Sequence, residues 1–318
     1  MKSLTISVIS DSKELREKIC RELAKKSPGE EDVNFYHQKS GEMILSVLEA
    51  ARFPEKLPSL LFTLPISDLP VVAVEKLTPA IGEAIIALDL SGMRRGIFFT
   101  TLLPEQLAPL TKGTVCEGYR LTSDLQELRE LVNSTSSERQ EGAAKGIVDH
   151  SFNVKGVGSV ALGFVARGTI RVHDKLSVFP SGKKIEVRSI QMHDDDYDSA
   201  SAGDRFGISF RGLDASELSR GDVLAQEGQL QVAQEISLSG RLSKFAKKPL
   251  EAGETIHLSV GLQMKTGKIA EGTIAPGGEG SLKISLEAPI AFDQEDRFLL
   301  IRLNEKALRV VGSGKVLP

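Results

Sequence analysis

The spacing of apolar residues at the start of the chain predicts a strand followed by a helix. Residues 4–9, with the sequence LTISVI, are predicted to form a buried strand. Asp11 is followed three residues later by a glutamate, which is the spacing of a capping box, so Asp11 is the predicted N-cap of the helix. The apolar residues of this helix recur one turn apart on one face: Leu15, Ile19 and Leu23.

The same alternation continues to residue 132. Residues 71–74 and 96–99 are predicted strands. Between them, Thr78 as N-cap and Pro79 as the first helical residue begin a helix that ends at Gly92. Apolar positions over residues 125–132 predict a last helix. Strands that alternate with helices indicate an α/β sheet with helices on its faces.

The helical period disappears after residues 133–142, a polar segment without periodic apolar positions that is predicted to be a linker. Short strands separated by polar or glycine-containing turns follow it at 159–165, 169–172, 175–179 and 185–191. A second all-β unit begins near Leu230. We therefore predict an α/β domain at 1–141 and two β-barrels, at 142–228 and 229–318.

Composition places the chain among cytoplasmic globular proteins. Hydrophobic residues make up 41% and charged residues 26%, and no run reaches the roughly 18–20 apolar residues of a membrane span. Cys20 and Cys116 are far apart and lack metal-ligand spacing, which argues against a zinc site or a disulfide scaffold. We expect no metal, no cofactor and no membrane association.

The formal charge is −3 overall and becomes more positive along the chain, with −4, −1 and +2 for the three predicted domains. A protein that grips nucleic acid along a broad surface is usually more basic. DNA is therefore not an expected partner, and any contact with RNA should be local.

Residues 146–225 begin GIVDHSFNVKGVGSV and close AGDRFGISFRGLDASELSRGDVLA. This block resembles the second domain of translational GTPases of the elongation factor Tu class, and in particular the selenocysteine-specific branch, which carries selenocysteyl-tRNA. From LSGRLSKFAKKPLEAGETIHLSVG to RVVGSGKVLP, residues 230–318 resemble the third domain of the same factors. The resemblance implies a G-domain-like α/β sheet followed by two β-barrels of the elongation factor Tu type.

The nucleotide-binding motifs of that class are missing from the first domain. A phosphate-binding loop needs GxxxxGK[ST], but each Gly-Lys pair of this chain is followed by Lys, Ile or Val. The place where the loop belongs reads Ser10-Asp11-Ser12-Lys13, without a glycine. The guanine-reading Asn-Lys-x-Asp is replaced after residues 96–99 by Thr-Thr-Leu-Leu-Pro. We predict a degenerate domain, a pseudo-GTPase rather than an enzyme.

Three polar residues of the second domain are candidates for an aminoacyl pocket. Asp149, His150 and Arg205 could each be explained as barrel scaffold: a turn residue, a half-buried strand residue and a rim arginine. In selenocysteine-specific factors, an Asp followed by His or Arg, and an Arg after a later Ala-Gly turn, hold the esterified selenocysteine. The resemblance implies that Arg205 and protonated His150 bind the anionic selenolate, at about 1–3 kcal/mol each, while Asp149 orients them.

Lys244, Lys247 and Lys248 form the densest basic cluster of the chain, in the third domain. They are either a solvated loop or a contact to the phosphates of an acceptor stem or T-stem, which domain three supplies in related factors. Such contacts add affinity without reading sequence and weaken steeply with salt.

The expected function is therefore binding without GTP-driven release. The partner would be tRNA or aminoacyl-tRNA, another RNA, or a translation partner such as the ribosome. Two alternatives stay open: a GTPase whose motifs have diverged past recognition, and a protein-interaction scaffold that does not bind RNA.

Overall fold

The computed structural model describes residues 2–27, 32–41, 43–138, 141–192, 195–306 and 308–317. Its first part is a sheet with the order β2-β3-β4-β1-β5-β6-β7. The pairs β1/β4, β1/β5, β5/β6 and β6/β7 are parallel, while β2/β3 and β3/β4 are antiparallel. The strands are β1 Lys2–Ile9, β2 Lys25–Lys26, β3 Val33–Ser40, β4 Met43–Ala50, β5 Leu69–Val74, β6 Ile97–Thr100 and β7 Arg120–Thr122. The helices are α1 Lys13–Leu23, α2 Leu57–Leu61, α3 Pro79–Ser91, α4 Pro104–Thr111 and α5 Leu125–Ser134.

The predicted helices of this part are confirmed where local signals fix their ends. Thr78 caps α3 by accepting a hydrogen bond from the Ile81 amide at 3.2 Å, and Gly92 ends the helix in the left-handed conformation. Leu128 and Val132 of α5 are buried, as their spacing predicts. None of the described helices is long and apolar enough to cross a membrane.

The predicted cap of α1 was wrong. The N-cap is Ser12, whose hydroxyl accepts from the Leu15 amide at 3.3 Å, because the helix begins at Lys13, one residue later than expected. The Asp11 carboxylate instead accepts a hydrogen bond from the Thr78 hydroxyl. Asp11 therefore joins the start of α1 to the start of α3.

The second part of the chain is a closed barrel. Its strands follow the order β11-β16-β8-β9-β15-β12-β13, and pairing of β11 with β12 closes the ring. A separate pair, β10 and β14, lies beside it. The strands are β8 Lys145–Val154, β9 Gly158–Arg167, β10 Thr169–Arg171, β11 Lys175–Phe179, β12 Lys183–Met192, β13 Asp195–Tyr197, β14 Ser199–Ser201, β15 Arg205–Arg211 and β16 Val223–Ala225.

The third part is a second closed barrel with the order β17-β22-β20-β19-β23-β24. Its apolar side chains fill the interior as one cluster that includes Leu238, Ile256 and Phe298. The strands are β17 Gln231–Leu242, β18 Leu250–Glu251, β19 Thr255–Val260, β20 Gln263–Glu271, β21 Thr273–Ile274, β22 Glu279–Phe292, β23 Phe298–Ile301 and β24 Val310–Val316.

The α/β part packs directly on both barrels. One apolar cluster joins Ile81 and Ile85 of α3 to Ile301 and Val310 of the third part, all fully buried. A smaller cluster joins β3 and β4 to Phe164 of the second part. The two interfaces bring side chains of the α/β part next to the candidate residues of the barrels.

Candidate functional site

A bulge in β8 sets the position of the candidate carboxylate. Val148 pairs with Gly163 and His150 pairs with Leu162, so Asp149 is an extra residue between two consecutive partners on β9. A bulge of this kind redirects the side chains on either side of it. The Asp149 side chain is 1% exposed and the adjacent His150 side chain is 36% exposed, with His150 Nδ1 3.0 Å from Asp149 Oδ2.

Arg220 is a fourth member of this cluster that the sequence reasoning did not identify. The turn that carries it is tied to β8 on both sides: the Gly221 amide donates to Val148 O, and the Val148 amide donates to Asp222 O, each at 2.9 Å. This pairing brings Arg220 Nη2 to 2.7 Å from Asp149 Oδ1. The contact is an ion pair rather than a hydrogen bond. Among the described residues, neither carboxylate oxygen of Asp149 has a hydrogen-bond partner of good geometry, and the same is true of the buried Arg220 Nε.

Arg205 lies at the start of β15, directly opposite Phe164 on β9. Its guanidinium lies 4.1 Å from the ring centroid of Phe35, on β3 of the α/β part, and 5.9 Å from that of Phe164. The Arg220 guanidinium lies 4.7 Å from the ring centroid of Phe62, which follows α2. Arg205 and Arg220 of the second barrel therefore both stack on phenylalanines of the first part of the chain.

The cations determine the ionisation of the buried carboxyl group. Burial alone would raise the pKa of Asp149, but His150, Arg220 and Arg205 outweigh it and hold the pKa below its ordinary value. Asp149 is thus a carboxylate at neutral pH, surrounded by two guanidinium groups and one imidazole. Summed over these four side chains, the charge is positive, which suits an anionic ligand.

Comparison with known proteins agrees with this architecture. Residues 158–225 match the family model described as elongation factor Tu domain 2. An uncharacterized protein of Methanocaldococcus jannaschii is 34% identical over 304 residues, which cover 94% of this chain and 96% of that protein. The selenocysteine-specific elongation factor of the same organism is 26% identical over 280 residues, or 81% of this chain and 58% of that protein. The chain belongs to the translational GTPase family, close to the selenocysteine-specific elongation factors.

Solved structures of this family share the whole fold. The apo crystal structure of the translation elongation factor SelB from Methanococcus maripaludis superposes with a TM-score of 0.84 at 21% identity, covering 100% of this chain and 80% of that one. The predicted fold class, an α/β sheet followed by two barrels of the elongation factor Tu type, is confirmed. This chain spans about three fifths of the curated M. jannaschii selenocysteine factor that it matches, 58% of its length.

The connection between β1 and α1, where the sequence lacks the phosphate-loop motif, is short and is hydrogen-bonded within the chain. Only Ser10, Asp11 and Ser12 separate β1 from α1. The Ser12 amide donates to Ser10 Oγ at 3.1 Å, and the amide of Arg16 donates to Ser12 O at 3.1 Å. The buried Arg16 guanidinium donates to Ser10 O at 2.6 Å. Side chains of the connection therefore accept hydrogen bonds from two amides at the start of the helix, those of Ser12 and Leu15.

The predicted lysine cluster lies in the loop after β17, and its three members are exposed. Lys244 Nζ is 3.4 Å from the carbonyl oxygen of Lys112, after α4, while Lys248 Nζ forms an ion pair with Glu305 at 3.2 Å. Lys244 thus faces the α/β part, and Lys248 faces another loop of its own barrel. The cluster is separate from Asp149, His150 and Arg205, which the second barrel brings together.

Proposed function

We propose that this protein is a translation-factor-like carrier that binds the aminoacyl end of a charged tRNA without GTP-driven release. The observation that carries the proposal is the buried Asp149 carboxylate with His150, Arg220 and Arg205 around it, at the contact between the second barrel and the α/β part. We also propose domain boundaries at 141/142 and 228/229, and a cytoplasmic location with tRNA and the ribosome as partners.

The charge of the cluster favours an anionic amino acid side chain. With His150 neutral, two guanidinium groups oppose one carboxylate, and protonation of His150 adds a further positive charge. A selenol is ionised at neutral pH, whereas the hydroxyl of serine is neutral, so the two esters differ by one full charge in the pocket. Charge-assisted hydrogen bonds to such an anion contribute about 1.5–3 kcal/mol each.

The hydrogen bonds between β1 and α1 support the proposal that this domain does not use GTP as a switch. A phosphate-binding loop presents several free backbone amides to the phosphates, and its glycines allow that approach. Here the side chains of Ser10 and Ser12 accept hydrogen bonds from the Ser12 and Leu15 amides, and Ser10 O accepts one from the Arg16 guanidinium. These contacts support the proposal that GTP and its magnesium ion do not bind here, and no step of the proposed function passes through them.

Arg205→Ala is expected to lower the preference for charged tRNA by about tenfold or more, the equivalent of one charge-assisted hydrogen bond. The measurement is filter binding of selenocysteyl-tRNA, seryl-tRNA and the same tRNA after deacylation. Arg188→Ala is the matched control, because Arg188 is exposed on β12 of the same barrel. A parent protein that binds charged and deacylated tRNA equally would exclude the aminoacyl pocket.

Nucleotide binding is the second expected outcome. Isothermal calorimetry with GTP or GDP and Mg²⁺ should give no binding at micromolar concentrations, and an assay for released phosphate should give no turnover above the buffer. Saturable micromolar binding of either nucleotide would mean that the protein is a diverged GTPase.

A further inference from the structure

Three arginines lie near the C-terminal end of α3, where the α/β part meets the third barrel, and one of them pairs with Asp89. Arg241 Nη2 donates to Asp89 O at 2.8 Å and to Asp89 Oδ2 at 2.9 Å. The Arg297 guanidinium lies close to Gly92. A Cβ atom placed on that glycine would be 3.6 Å from Arg297 Cζ. Arg94 lies two residues beyond Gly92 and, like Arg297, is exposed.

These arginines carry more positive charge than their surroundings neutralise. Asp89 is engaged by Arg241 and also accepts a hydrogen bond from the Val115 amide at 2.9 Å. The pKa of Arg297 is lowered by its partial burial and by Arg241 and Arg94, and Asp89 acts in the opposite direction. Two exposed guanidinium groups therefore face solvent next to a carboxylate that is already paired.

The positive surface continues along the contact between the two parts of the chain. Arg241 and Lys244 both contact the segment 112–115 or its neighbours. Arg241 pairs with Asp89, which accepts a hydrogen bond from the Val115 amide, and Lys244 Nζ is 3.4 Å from Lys112 O. The Lys244 ammonium is also 5.1 Å from the ring centroid of Phe245, a side chain that is 45% exposed.

We propose that this surface binds an RNA backbone, with an unpaired base stacked on Phe245. We call it the basic seam; it consists of Arg94, Arg297, Arg241, Lys112, Lys244 and Phe245. Three exposed acids lie beside it: Glu117, which accepts from the Gly113 amide, Glu279, opposite Arg241 on β22, and Glu295, which pairs with Lys315 at 3.7 Å. The five cations of the seam still outnumber these three carboxylates and Asp89. The seam rests on the proposed function, since it assigns the RNA partner a second contact outside the aminoacyl pocket.

Two kinds of anionic partner could bind the cations of the seam, RNA and an acidic protein surface. The exposed aromatic ring of Phe245 beside these cations favours RNA. Guanidinium groups bind phosphate oxygens in a planar fork, and a base stacked on an aromatic side chain contributes about 1–3 kcal/mol. Carboxylates of a protein partner would use the cations of the seam, but the negative face of the Phe245 ring repels an anion and would not take part. The seam combines the two interactions that bind single-stranded segments of RNA.

The charge contribution is tested with the double variant Arg94→Gln/Arg297→Gln. Binding of deacylated total tRNA is measured by filter binding at several salt concentrations, so that the aminoacyl pocket does not contribute. The slope of log affinity against log salt is expected to fall by about one per arginine, and the affinity itself by tenfold or more. The control Arg171→Gln/Arg188→Gln removes two exposed arginines of the second domain and should leave the slope unchanged.

The stacking contribution is tested separately at the aromatic position. Phe245→Leu is expected to weaken RNA binding about tenfold without changing the salt slope. Phe245→Tyr, which keeps an aromatic ring, is expected to bind RNA as tightly as the parent. If the parent binds tRNA but the seam variants retain its affinity and slope, the seam proposal is wrong and its charges serve another anion, such as an acidic protein. If the parent binds neither charged nor deacylated tRNA, both the proposed function and the seam proposal are wrong.

Discussion

Replacing Arg16 by alanine is expected to destabilise the protein by about 3–5 kcal/mol, because it leaves a buried carboxylate without its cation. Arg16 and Glu49 are each 1% exposed, with Arg16 Nε 3.2 Å from Glu49 Oε1. The same guanidinium donates to the carbonyl oxygens of Ala51 at 2.7 Å and Phe53 at 3.1 Å. Alanine has a high helix propensity, so the loss would not come from α1 itself.

The measurement for this variant is urea unfolding followed by circular dichroism, with Arg21→Ala as the control. Arg21 is on the same helix, and its side chain is 65% exposed in an ion pair with Glu17. Exposed pairs of this type contribute roughly 0–1 kcal/mol. Equal losses for the two variants would show that the Arg16 contacts do not hold the edge of the sheet together.

Arg16 also shows why the first domain could be predicted only in part. The strand at 4–9 and the helices α1, α3 and α5 have apolar periods, and α3 has capping residues as well, so local sequence is enough to place them. The antiparallel strands β3 and β4 were not predicted. Their buried polar residues, Asn34 and Glu49, are hydrogen-bonded to each other at 2.9 Å, and such pairing is invisible before the fold is known.

The candidate site divides in the same way. Resemblance to a family identified Asp149, His150 and Arg205, and the β8 bulge and the start of β15 place them in one barrel. Arg220 was present in the quoted SRGDVLA segment but has no local feature that predicts its contact with Asp149. The contacts of Phe35 and Phe62 depend on packing between separate parts of the chain, which no spacing pattern reports.

The proposed carrier would need no nucleotide-driven rearrangement of its α/β part, and a buried polar contact joins that part to the third barrel. Glu83 on α3 is 4% exposed and accepts from the Arg309 amide at 2.6 Å. It also accepts from Arg309 Nε at 3.1 Å, and the same guanidinium donates to Pro54 O at 2.9 Å. This polar contact lies at the edge of the apolar cluster shared by α3, β23 and β24.

Glu83→Ala is therefore expected to cost about 3 kcal/mol, the lower end for a broken buried pair, since the Arg309 side chain is 18% exposed. Amide hydrogen exchange should increase in α3 and β24 together, because the pair joins these two elements. The matched control is Glu75→Ala, which removes an exposed carboxylate after β5 and should change stability by less than about 0.5 kcal/mol.

A double-mutant cycle with Arg309→Ala isolates the pair from the separate loss of the Arg309–Pro54 hydrogen bond. We expect a coupling energy of about 1.5–3 kcal/mol for groups that share several direct hydrogen bonds. The two substitutions should then be much less than additive, because either one alone already breaks the contact between α3 and β24. Two results would contradict this expectation: additive losses of unfolding free energy in the cycle, or a Glu83 variant as stable as the Glu75 variant. Either would mean that the apolar cluster alone holds the α/β part on the third barrel.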